Sequence, residues 1–311
     1  MTATPTRVLL TGAAGFIGSH LTRLLVSEGH DVTAIVRRET DRWRIRDLET
    51  RVSIVEGDLR DLGALTEAIR ASRPDLCIHL AWHGWSGRPT AEENISSLSV
   101  SLELLRLMSA IGCHRFVTVG TCFEYDLDAD RLKETTPLRP HDLYGACKKS
   151  LFEVAQEFSR LTGVRVLTPR VFYSYGPHED PRRLVPSIML SLLKGEPARV
   201  TPGQQLRDYL HVEDVASAIW AATTSGLTGA VNIASGEPVT IATIAMRIGE
   251  LLGKAHLLQL GALEYRPNEP MRILGDASRL REIGWVPRFA LDAGLVQTLA
   301  WWQVHASVRH V

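Results

Sequence analysis

Apolar residues along this chain follow two rhythms that alternate. Arg7–Thr11, Asp31–Val36, Val52–Glu56, Leu76–Leu80, Arg115–Gly120 and Arg165–Pro169 are short apolar, often β-branched runs, as buried strands require. Between them, Gly18–Glu28, Leu62–Ala71, Ala91–Ile111 and Tyr144–Leu161 repeat apolar positions at helical spacing, with Leu21, Leu24 and Leu25 on one face of the first. Strand and helix taking turns predict an α/β fold with a doubly wound, mostly parallel sheet. After Val171 the rhythm loosens, punctuated by Pro177, Pro181, Pro186, Pro197 and Pro202. Helices are expected at Leu184–Lys194, Val212–Thr223 and Ile241–Leu252, and a strand at Ala230–Ala234. The expected organisation is one large α/β domain over 1–170, completed by about 205–235, with 171–311 mainly forming a smaller α/β lobe.

Composition narrows the function. The chain has 311 residues, 45% of them apolar, enough for a large core. Lys+Arg and Asp+Glu both total 35, so no basic face points to nucleic acid, and an anionic ligand must be held by a few placed groups. Cys77, Cys113, Cys122 and Cys147 form no CxxC pair, which suggests reduced thiols and a cytoplasmic location. Neither a signal peptide nor a long apolar span is visible, so a membrane is not expected as a partner.

The first strand runs into Gly12-Ala13-Ala14-Gly15-Phe16-Ile17-Gly18 and then a helix. Gly12 permits a tight turn, Gly15 lets a pyrophosphate approach the backbone, and Gly18 lets helix and strand pack closely. The helix N-terminus, with Phe16 and Ile17 in its first turn, then faces the phosphates. This context predicts a Rossmann dinucleotide site. The second strand ends in Val36-Arg37-Arg38 where an NAD enzyme usually has a carboxylate for the ribose. Two guanidinium groups suit the 2′-phosphate of NADP(H), unless both are solvated surface charge. Asp58, after the third strand, either accepts from the adenine amino group or caps the next helix.

Tyr144 and Lys148 stand at i and i+4 on one helix face. A tyrosine is a poor acid or base at neutral pH, and a neighbouring ammonium favours its ionised form. Thr121, ending the strand at Gly120, can bond the same substrate oxygen. Trp82-His83-Gly84-Trp85 follow the fourth strand at the edge where ligands bind, and line either a sugar pocket or ordinary cleft packing. His79 and His83 have no ligand partners at metal-site spacing, so no metal is expected.

These motifs, with Asp58-Leu59, His79-Leu80-Ala81, Tyr175-Gly176-Pro177, Arg207-Asp208-Tyr209 and Gly284-Trp285-xx-Pro287, resemble the extended short-chain dehydrogenase/reductases, the sugar-nucleotide epimerase/dehydratase/reductase group. The resemblance implies a Rossmann domain, with Leu59, Leu80 and Ala81 near the cofactor, and a nucleotide-diphosphate-sugar lobe. It implies Thr121, Tyr144 and Lys148 as the catalytic set, and Arg207 and Arg272 at the substrate pyrophosphate. Each arginine has an alternative role as an interdomain ion pair. Family dehydratases place an Asp-Glu pair after the threonine; here Cys122 and Phe123 stand there, which disfavours dehydration. His178 resembles the histidine of the epimerase-reductases that make GDP-fucose, and many members carry Asn where this chain has Tyr173. With Trp82, His83 and Thr121, these two complete the expected substrate contacts.

The function expected is NADPH-dependent reduction of the C4 ketone of a nucleotide-activated 6-deoxy-4-keto-hexose. A C4 epimerase that retains its cofactor is the alternative, and a regulatory NADP-binding protein a more remote one. Ile95, Leu98, Leu102, Leu105 and Met108 on one helix, and Leu151, Val154, Ala155 and Phe158 on another, make both helices apolar enough to predict a homodimer contact.

Overall fold

The computed structural model describes residues 5–82 and 90–305. The chain begins β1 (Arg7–Thr11), α1 (Phe16–Ser27), β2 (Asp31–Val36), β3 (Ser53–Glu56), α2 (Leu62–Ser72) and β4 (Leu76–His79). It continues α3 (Glu93–Ala110), β5 (Arg115–Thr118), β6 (Gly120–Thr121), α4 (Leu143–Thr162) and β7 (Arg165–Val171). Next come β8 (Tyr173–Tyr175), α5 (Leu184–Lys194), β9 (Ala198–Val200), β10 (Leu206–His211), α6 (Val212–Thr224) and β11 (Gly229–Ile233). The last elements are β12 (Pro238–Thr240), α7 (Ile241–Leu251), β13 (Leu258–Leu260), β14 (Arg272–Ile273), α8 (Ser278–Glu282) and α9 (Leu291–His305).

Eight strands form one sheet in the order β11-β7-β5-β4-β1-β2-β3, with β6 continuing the line of β5 along β7. Every pairing in it is parallel. Both faces are covered, which is why the strands read as continuous apolar runs. Val8 and Leu10 of β1 join a core with Leu21 and Leu25 of α1 and Val215 and Ile219 of α6. Leu9 joins the core on the other face, with Leu65 of α2, Leu104, Leu105 and Met108 of α3, and Ala155 of α4. Successive strand side chains thus serve opposite layers of a doubly wound α/β fold.

Several boundaries differ from expectation for physical reasons. Helix α1 starts at Phe16 rather than Gly18, directly out of the glycine turn. The strand expected over Arg115–Gly120 is divided. Its pairing with β7 lapses between Val117 and Gly120 and resumes in the same register. Pro169 stands opposite the gap and has no N–H to give the ladder. The segment expected to complete the large domain over 205–235 also divides. β10 belongs to a smaller four-stranded sheet with β8, β12 and β14, whereas α6 packs on α1 and β11 extends the large sheet.

Behind the smaller sheet, α5, α7 and α9 enclose Ile188, Met189, Ile244, Ile248, Leu295 and Trp302. Buried Asp208 ties this lobe together. Its carboxylate accepts from the Ser235 backbone N–H and hydroxyl (both 2.7 Å), from Gly236 N–H (3.0 Å) and from Gly275 N–H (3.2 Å). On α3 and α4, Leu105, Met108, Leu151 and Ala155 turn inward, leaving Ile95 and Val154 about half exposed. Among the described residues no helix is long and apolar enough to cross a membrane.

Candidate active site

The C-terminal edge of the large sheet carries the site. Gly12 adopts φ +76°, and a β-carbon there would stand 2.7 Å from the Ala81 nitrogen. A β-carbon on Gly18 would fall on the Gly12 carbonyl oxygen. Leu80 and Ala81 close the back of the turn, donating to the Thr11 carbonyl (3.1 Å) and hydroxyl (3.2 Å). No side chain caps α1 at Gly15. Its first turn, with Phe16 and Ile17, therefore presents backbone donors to the mouth of the turn. A cradle that any β-carbon would fill, facing an uncapped helix start, fits a dinucleotide pyrophosphate.

At the end of β2, Arg37 is half-buried and Arg38 exposed. Among the described residues their ion pairs are long, to Glu39 (3.6 Å) and Glu56 (3.8 Å), which leaves both guanidinium groups open to a stronger anion. The capping role expected as one alternative for Asp58 is present. Asp58 caps the short turn opened by Leu59, and both its oxygens accept from Arg60, which holds its carboxyl down at about 2.

Tyr144 and Lys148 come from the first turns of α4, whose start is fixed by Gly145 N–H donating to Asp142 (2.7 Å). The Tyr144 hydroxyl lies beside the Thr121 side chain; burial pushes its pKa well up, and Thr121 opposes that. Lys148 is buried, and its ammonium donates to the Val119 carbonyl (2.7 Å) beside the interrupted ladder. Burial lowers its pKa to about 7, against the pull of Glu124. The indole of Trp82 lies 3.8 Å beneath the ammonium, and its ring meets Tyr144 edge-on at 6.1 Å.

Behind Thr121 is a layer that the expected site did not include. Glu124, fully buried, accepts from Thr121 N–H (2.8 Å) and from Arg170 Nε (2.7 Å). Arg170 also donates to the Tyr125 hydroxyl (3.0 Å), which donates to Asn232 (2.7 Å). The spacing Thr121-xx-Glu124 is a capping box and was readable as one. Arg170, a charge inside an apolar strand, signalled a partner without naming it.

Directly after Thr121, Cys122 is buried and its thiol is pushed up to about 12. Phe123 packs edge-on against Tyr173 at 6.3 Å. Tyr173 lies under the Arg207 guanidinium (5.4 Å) and beside Tyr209 (5.3 Å). Arg207, 2% exposed, donates to Glu269 at 2.6 Å. Arg272 instead pairs with Asp130 at the surface (2.9 Å). Leu206 pairs with Arg272 and Arg207 with Ile273 in the β10–β14 register, so the two arginines leave opposite faces of the small sheet. Arg207 lies with Tyr173 and Tyr209, and Arg272 stands at the surface. The His178 ring packs against His20 (5.2 Å), Trp43 (5.2 Å) and Trp301 (5.1 Å), and burial lowers its pKa to about 3. His83, with Gly84 and Trp85, lies outside the described residues.

Comparison with known proteins agrees with this fold. A family model described as "NAD dependent epimerase/dehydratase family" matches residues 8–234. A dTDP-glucose 4,6-dehydratase of Salmonella typhimurium is 27% identical, over 95% of this chain and 92% of that protein. The Thermus thermophilus UDP-glucose 4-epimerase, solved with NAD, is 27% identical with a TM-score of 0.82, over 95% of this chain and 98% of that one. The UDP-N-acetylglucosamine 4-epimerase of Methanobrevibacter ruminantium M1 superposes with a TM-score of 0.89 at 24% identity, over 97% and 99% of the two chains.

Beside His178, Glu179 is buried, with one carboxylate oxygen unpartnered. Arg183 at 3.9 Å is too distant and too exposed to offset that burial, which pushes the carboxyl up to about 8. A carboxyl raised on folding contributes stability below its unfolded value, lost as pH rises through the folded one. The Glu179→Gln variant keeps the volume without the charge. Its unfolding midpoint relative to wild type should rise steadily between roughly pH 5 and pH 8. Thermal melts across that range check this, and a constant difference would contradict it.

Proposed function

The chain belongs to the NAD-dependent epimerase/dehydratase family, and on that premise we propose that it uses NADPH to reduce the C4 ketone of a nucleotide-activated 6-deoxy-4-keto-hexose. The carrying observation is the pair of residues directly after Thr121. Expelling water needs a second acid–base pair there, and the site offers a thiol held at about 12 and a phenyl ring. Dehydration is therefore disfavoured, although the Salmonella relative bears that name. What remains is carbonyl–alcohol chemistry at Thr121, Tyr144 and Lys148.

When bound, the nicotinamide supplies the hydride, and the cradle at Gly12, Gly15 and Gly18 holds its dinucleotide. Thr121 orients the substrate oxygen through its hydroxyl. Tyr144 keeps its proton firmly at neutral pH, because burial disfavours its phenolate. It gives that proton up only to the stronger base that a ketone oxygen becomes as it is reduced. Lys148 holds charge beside both and contacts the ribose. Arg207 receives the substrate diphosphate, and Trp82 and Tyr173 line the sugar side. Arg37 and Arg38 take the 2′-phosphate. A C4 epimerase is the second reading, favoured by the likeness to the Thermus enzyme. Net consumption of NADPH against a panel of nucleotide 4-keto-sugars separates the two, because an epimerase shows none.

Three outcomes are expected. Tyr144→Phe should lower single-turnover NADPH oxidation by about 10²–10⁴-fold, the usual share of positioned acid–base catalysis, with cofactor affinity nearly unchanged. Retention of more than about a tenth of the rate would withdraw the assignment. NADP(H) should bind about tenfold or more tightly than NAD(H), the worth of one charge-assisted contact, and equal affinities in a titration would defeat that reading. Finally, α3 and α4, with Ile95 and Val154 outermost, should pair with a second copy. Light scattering at micromolar protein should report a dimer, and a monomer would rule the contact out.

A further inference from the structure

Lys148 contacts an aromatic ring that lies on neither its own helix nor the segment whose carbonyl it bonds. We propose that Trp82 is a positioning residue, whose indole face holds the Lys148 ammonium at the cofactor ribose while Asn94 of α3 locks the indole in place. The proposal rests on the reading of Lys148 as a ribose contact.

A lysine side chain is long and flexible, and its ammonium carries three donors. The Val119 carbonyl takes one, 2.7 Å away. The Trp82 ring centroid, 3.8 Å from Nζ, occupies a second side at close cation–π range. Two of three directions are thus used among the described residues, and the proposal gives the third to the ligand. Indole is the strongest of the aromatic faces for a cation, and the contact gains from the exclusion of water.

The indole is itself held. Its N–H donates to the Asn94 side-chain oxygen at 2.8 Å, and Asn94, fully buried, donates to the Ala91 carbonyl at 2.7 Å. Trp82 therefore transmits the position of the α3 start to an ammonium on α4. The other titratable groups facing Lys148 are His79 on β4, Glu124 after β6 and Tyr144 on α4 itself. His79 is placed between Thr11 (2.7 Å) and Ser101 (2.8 Å), and burial lowers its pKa to about 3, so it is neutral and repels nothing. Glu124 supplies charge attraction but is committed to Thr121 and Arg170. Neither fixes where the ammonium stands in the plane of the cleft; the indole face does.

The test is a double-mutant cycle read in NADPH dissociation constants by titration, which needs no knowledge of the sugar. Trp82→Leu should weaken binding about tenfold in the native background and by less than about twofold when Lys148→Met is already present. Trp82→Phe, which keeps a π face, should restore most of the affinity, whereas a purely structural role would separate the Leu and Phe variants in melting temperature alone. Equal losses in the two backgrounds would overturn the proposal, because Trp82 would then act on the cofactor or the fold without Lys148. No loss in either would overturn it as well. A wild-type chain that bound neither NADPH nor NADH would remove the cofactor reading and this proposal together, an outcome distinct from a flat cycle.

Discussion

Behind the cleft, a carboxylate and a guanidinium stand together with almost no access to water. Glu124 and Arg170 are 0% and 1% exposed, and each would be intolerable there alone. Desolvating two such ions costs several kcal/mol each, and their attraction offsets that only when the remaining donors and acceptors are also used. Here most are used, in places that matter to the cleft; Arg170 Nη2 alone finds no hydrogen-bond partner among the described residues, and the Tyr125 and Phe152 rings flank the guanidinium. Glu124 fixes the backbone of Thr121, and Arg170 reaches the Tyr125 hydroxyl, which holds Asn232. Asn232 in turn donates to the Leu132 and Asp276 carbonyls. The pair therefore sets the height of Thr121, and ties it to the edge of the large sheet and the segment leading out of the small one.

The same region shows how far a sequence carries. The βα turn at Gly12–Gly18 and the Tyr144–Lys148 spacing were legible because each is a local pattern with one structural use. The large sheet was legible because both its faces are buried, so strand periodicity survives as plain apolar runs. The small sheet was not: β8, β12 and β14 have two or three residues each, too few to show a period. The break in β5 was hidden for a different reason. Pro169 interrupts a ladder from the neighbouring strand, and that neighbour is chosen by the fold.

The cleft residues divide in the same way. Thr121, Tyr144 and Lys148 meet because a strand end and a helix start meet. Arg207 and Arg272 looked equivalent in one dimension, but the β10–β14 register places them on opposite faces. His178 looked like a cleft residue, and its left-handed backbone, φ +70°, goes with a ring packed among Trp43, Trp301 and His20. The partners that complete the site, Trp82 with Lys148 and Glu269 with Arg207, are separated by more than sixty residues in the chain. No local spacing can announce such pairs.

The contact between Arg207 and Glu269 changes how the cleft meets an anion. A buried guanidinium left bare would have to shed its water as a ligand arrived, and that penalty would weaken every encounter. Folding has already removed the water and put a partly exposed carboxylate in its place. If Arg207 receives the substrate diphosphate, as proposed, that group enters by exchange, one negative group for another. Under that reading Glu269, already partly exposed, is the group returned to solvent, and a ligand must bind the guanidinium better than this side chain does.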